Sequence, residues 1–135
     1  MREEIQTNEQ FLATIPFAAK LGMEIDSARP DRVVGRMRWR EDLTTGGGLL
    51  HGGALMGFAD TLGAVCAFLN LPAGAGTATI SSSTSMLRAV RDGEVTGTSR
   101  PLHAGRSVIA VQTELRDAQD RLVAQVTQAQ AVLGT

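Results

Sequence analysis

The chain has 135 residues, enough for one domain with a core of its own and too few for two. Its 13 Lys plus Arg and 14 Asp plus Glu leave a formal net charge of −1, which offers no basic footprint for nucleic acid. One cysteine excludes an internal disulfide, and with only two histidines there is no zinc-type ligand set, so neither a metal nor another cofactor is expected.

Asn8 is placed to cap a helix from Glu9 to about Lys20, where Phe11, Leu12, Ile15, Ala18 and Ala19 follow a spacing of three and four. Pro16 is set to split or kink it. An extended run from Met23 to Ser27, a turn at Ala28-Arg29-Pro30-Asp31 and a strand from Arg32 to Arg40 read as a hairpin. In that strand Val33, Gly35, Met37 and Trp39 share one face, and Arg32, Arg36, Arg38 and Arg40 lie on the other with Val34. One wet face marks an antiparallel sheet. A polar, glycine-rich loop from Glu41 to Gly48 then delivers the chain to its longest apolar stretch.

From Ala54 to Leu69 every residue is apolar or glycine except Asp60 and Thr61. A helix apolar all round is a buried helix, and this one is short for a bilayer and carries an acid. An unpaired buried carboxylate costs roughly several kcal/mol, so Asp60 needs a partner or a purpose. After a stop at Asn70 to Gly76, four strands are expected: Thr77 to Leu87, Glu94 to Leu102, Ser107 to Asp117 and Leu122 to Leu133. The first is odd, since Ser81 to Ser85 gives little apolar surface on either face.

Strands segregated around one helix point to an α+β architecture, a single domain over 1–135 with an antiparallel sheet wrapped around the long central helix. One curved sheet covers only one side of a helix, so the remaining apolar face calls for a second subunit. A homodimer is expected. The charged start, Met1-Arg2-Glu3-Glu4, has no apolar run of the kind a signal peptide carries, which suggests a cytoplasmic protein with no membrane partner.

His51-Gly52-Gly53 precedes the helix. Glycines there let a ligand approach the backbone, and the free N–H groups of a first turn stabilise a carbonyl oxygen that is gaining negative charge. The same residues are also compatible with a flexible loop and a surface histidine. Asp60 lies seven residues beyond Gly53, ~10 Å along the axis, too far for both to serve one carbonyl from one helix. Two antiparallel helices, one per subunit, remove that obstacle and make the site composite. The alternative is a core aspartate that caps a neighbouring strand. No phosphate loop or Gly-x-Ser-x-Gly elbow is present. Cys66 and Trp39 read as packing, Thr45 as a residue near the helix start or in a solvated loop. Arg88, Arg91, Arg100, His103 and Arg106 fall at strand ends and turns, where they could grip an anionic phosphate tail.

Leu50-His51-Gly52-Gly53, six intervening residues and Asp60, followed by four strands, resembles the hotdog-fold acyl-CoA thioesterases, specifically their phenylacetate-pathway (PaaI-like) branch. Pro16-Phe17 to Leu21-Gly22-Met23, Gly105-Arg106-Ser107 and Val123-Ala124-Gln125 extend the resemblance over nearly the whole chain. It implies a dimer or tetramer that hydrolyses an acyl-CoA thioester. Carried over, Gly53 would polarise the thioester carbonyl, Asp60 would act as nucleophile or general base, and His51 would orient the thioester or the departing thiolate. Thr79 would position the attacking water. From the sequence itself, Gly52, Thr45, Arg88 and Arg106 are expected to contact substrate. Two positions depart from the pattern: Thr45 stands where many relatives carry Asn or Gln, and Ala89 where proline is common. A non-catalytic acyl-CoA-binding module and an acyl-CoA hydratase or dehydratase are the alternatives; the second usually pairs its acid with a nearby histidine, and none lies between Asp60 and His103.

Overall fold

A computed structural model describes residues 8–134. The N-terminal helix is two helices, α1 (Asn8–Thr14) and α2 (Pro16–Leu21), broken at Ile15. Pro16 starts α2, where its missing N–H costs no hydrogen bond, and Gly22 ends it in the left-handed conformation (φ 68°). Asn8 does not cap α1 as expected. It is itself helical, and its Oδ1 accepts from the N–H of Ile25 at 2.6 Å, tying α1 to the first strand.

The strands are β1 (Glu24–Arg29), β2 (Arg32–Arg38), β3 (Gly76–Met86), β4 (Glu94–Ala104), β5 (Val108–Arg116) and β6 (Leu122–Leu133). They form one antiparallel sheet in the order β1-β2-β4-β5-β6-β3. The long helix α3 (Gly52–Leu69) lies across it. Leu55, Phe58, Leu62, Val65 and Leu69 are buried, as are Val33, Met37, Val95, Ile109, Leu115 and Val126 of the sheet. Gly35 and Gly97 face each other in the β2–β4 register, and a Cβ on either would stand within 2.8 Å of a Leu62 methyl. Their missing side chains are what lets the helix settle onto the sheet.

The sheet does not enclose α3. Gly53, Met56, Gly57, Asp60, Ala64 and Phe68 recur every three or four residues along the side it leaves open. The serine run is explained by topology: β3 is an edge strand, paired only with β6 and exposed over most of its length, so it needs no apolar face of its own. α3 is apolar and long enough to suit a bilayer, but its burial against the sheet makes it the core helix of this fold.

Candidate active site

Asp60 is half-buried near the middle of the open stripe. Its Oδ1 accepts two hydrogen bonds, from the Thr79 hydroxyl on β3 (2.8 Å) and from Nε2 of Gln128 on β6 (2.9 Å). Its Oδ2 has no hydrogen-bond partner among the described residues. The carboxylate is therefore gripped by one oxygen and presents the other.

Behind it lies a second layer. Gln130 Nε2 donates to Thr79 Oγ1 at 2.7 Å, and Thr77 Oγ1 sits 3.2 Å from Gln130 Oε1 and 2.8 Å from the Ala131 carbonyl. Both glutamines are buried on the inward face of β6. Gln128 owes its place to Gly63, since a Cβ there would meet Gln128 Oε1 at 2.0 Å. Neither glutamine was expected at the site. The available signal was two consecutive inward positions of a buried strand occupied by amides, in a chain whose core helix carries one acid.

The start of α3 differs from expectation in one donor. His51 is the N-cap, and its Nδ1 accepts from the Gly53 N–H at 2.7 Å. That amide, the one expected to polarise a carbonyl, already has an internal partner. The Gly52 N–H has none among the described residues. Because Nδ1 is the acceptor, the neutral imidazole carries its proton on Nε2, leaving that N–H to donate outward. The loop leading here is held by Trp39, whose Nε1–H donates to the Gly48 carbonyl at 2.9 Å; Trp39 is thus a strut as well as packing.

Thr45 is exposed in this loop, its N–H bonded to the Leu49 carbonyl and its hydroxyl unpartnered among the described residues. The arginines do not form one cluster within the chain. Arg88 and Arg91 line a polar cleft of about 510 Å³ with Asp92, Asp117 and Arg121 beyond the end of β3. Arg106 lies in the β4–β5 turn, at the opposite end of the sheet. The length of β5 separates the two groups, ~27 Å at the usual rise per residue. Cys66 is buried, as expected of packing, and burial pushes its thiol up to about 12, with the charge of Asp31 a smaller contributor.

An antiparallel sheet folded against one long helix is the hotdog class of α+β fold, and here that helix carries a lone carboxylate on its open face. The chain belongs to the thioesterase superfamily, whose family model matches residues 47–124, more than half its length. A Vibrio cholerae protein named only provisionally as an esterase is 43% identical over 76 residues, 56% of this chain and 51% of that protein. The proofreading thioesterase EntH of Cronobacter sakazakii is 37% identical over 87 residues, 64% of each chain. The chain thus spans about half the length of the first and just under two thirds of the second. The crystal structure of thioesterase HI1161 from Haemophilus influenzae superposes with a TM-score of 0.89 at 26% identity, covering 96% of this chain and 92% of that one.

Proposed function

We propose that this protein hydrolyses acyl-CoA thioesters to the free acid and CoA, as its resemblance to the PaaI-like branch implies, at a site shared between two copies of the chain. The observation that carries the reading is Asp60: an acid in the core helix, held by Oδ1 and open at Oδ2 on the one face the sheet leaves bare. A carboxylate used only to cap a strand would gain nothing from that free oxygen.

Within one chain Asp60 adjoins Thr79 near the start of β3, while a side chain on Gly52 would touch Met86 at its end. If β3 pairs antiparallel with the partner's β3 about an axis near Ser82 and Ser83, the two ends exchange. Gly52 of the partner subunit then comes to Asp60, and Arg88 of the partner subunit comes toward the end of the sheet that carries Arg106. This pairing would also cover an unprotected edge of 11 residues, which is otherwise an invitation to non-specific strand addition.

In such a site the Gly52 N–H and the His51 Nε2–H point at the thioester oxygen and favour the negative charge it acquires. Asp60 Oδ2 either takes a proton from the water that attacks the carbonyl carbon, or attacks that carbon itself to form an acyl anhydride that water then hydrolyses; in both cases the proton given up by water ends on the departing thiolate. Thr79 holds the carboxylate, and the C–S bond breaks with release of CoA thiol. The test is thiol release from a panel of acyl-CoAs by wild type and Asp60→Asn. The variant keeps the shape and loses the base, and a fall in kcat of about 10²- to 10⁴-fold is expected. Near wild-type turnover by the folded variant would remove Asp60 from the chemistry, and CoA-thioester binding without thiol release by wild type would make the chain a binding module.

A further inference from the structure

We infer that Gln128 is a positioning residue for the reaction, one that fixes the plane of the Asp60 carboxylate and so aims its free oxygen. The inference rests on the reading of Asp60 just given. A buried amide is costly unless its polar atoms are paired. Gln128 is 2% exposed, and its side chain's only hydrogen bond among the described residues is the one to Asp60. Its Oε1 is buried with no partner, over the α-carbon side of Gly63. For stability alone an apolar side chain would serve better here, as Ala124 and Val126 do at the preceding inward positions of β6. An amide with one hydrogen bond and one orphaned oxygen makes sense where that single bond has a use.

The use is geometric. A carboxylate on a helix can rock about its Cβ–Cγ bond, which swings its free oxygen out of line. Thr79 alone, approaching from β3, would not prevent it. A second donor on the same oxygen from a different strand fixes the plane and leaves Oδ2 as the reacting atom. The direction of these bonds is determined by proton count. Gln130 donates to Thr79 Oγ1, so the single hydroxyl hydrogen of Thr79 is free to go to Asp60. Gln128 Nε2 can only donate. Asp60 and Gly63, three residues apart on α3, thus act as a pair: one carries the base and the other makes room for the amide that orients it.

The test is Gln128→Met, of similar length with no donor, assayed for thiol release in the wild-type and Asp60→Asn backgrounds together with thermal unfolding. The expected result is a fall in kcat of about tenfold to a hundredfold with little change in KM, set by the loss of one hydrogen bond to a charged group. In the Asp60→Asn background the substitution should cost nothing further, because its effect passes through the carboxylate. Gln128→Asn, which keeps the amide but withdraws it by one methylene, should lose kcat similarly and serves if the Met variant does not fold. Unchanged kcat in a folded variant would overturn the inference, as would an equal loss in both backgrounds, the mark of a purely structural residue. If wild type itself releases no thiol, the proposed function falls and this inference with it. An active wild type with an unaffected Gln128→Met sinks only the inference.

Discussion

Subunit mixing tests the composite site directly. Gly52 is the first helical residue of α3, a position where proline is favoured, and His51 before it already has the extended backbone (φ −65°, ψ 136°) that a following proline requires. The nearest atom to a side chain on Gly52 is the flexible end of Met86, at 3.3 Å. Gly52→Pro therefore deletes one N–H at small structural cost, and the loss of an oxyanion donor predicts a fall in kcat of about 10²- to 10³-fold. Gly52 and Asp60 are eight residues apart on one helix, ~12 Å along its axis, so they cannot meet at one carbonyl within a protomer. In a heterodimer of Gly52→Pro and Asp60→Asn subunits, one site receives both lesions and the other receives neither. Random pairing of equal amounts makes half the dimers mixed, each with one intact site of two, so about one quarter of wild-type activity should return. The assay is thiol release after co-refolding, with each subunit alone as control. A mixture no more active than the sum of its parts would refute the shared site.

Other consequences follow from packing and charge. Gly97→Ala would place a methyl 2.3 Å from Leu62 Cδ1 and 3.0 Å from Leu115 Cδ2, both fully buried, and should cost about 1–3 kcal/mol by denaturant unfolding. Added to Leu62→Ala it should cost less than alone, since the methyl then enters a cavity; strict additivity would contradict the contact. The Asp117 carboxyl is held below its ordinary range chiefly by the Arg121 N–H, then by the Arg121 side chain and the Gln119 N–H, with burial opposing. A lowered folded-state value means stability that is present above the unfolded-state value and lost as pH falls through the folded one. The melting temperature should drop with acidification below about pH 4, and less steeply in Asp117→Asn. With its thiol pushed up to about 12 by burial, Cys66 should resist alkylation in the native protein at mildly alkaline pH and react at the rate of global unfolding. Rapid labelling of folded protein would show that the helix core opens locally.

The amino-acid sequence by itself determined the elements and the acid. Period-two alternation located β2, turn residues bounded the later strands, an unbroken apolar run located α3, and a single ionisable group in that run singled out Asp60, because these are local patterns that each residue carries with it. The tertiary structure decided what those residues touch. Asn8 bonds β1 rather than its own helix, the Gly53 N–H is taken by a histidine rotamer and Gly52's is not, and the arginines divide between the two ends of the sheet. Gln128 reaches Asp60 across 68 positions of chain only because Gly63 has no side chain in the way. Periodicity reports which face a side chain occupies; which atom it meets there depends on strand order, register and the space left by glycines, and those are properties of the assembled fold.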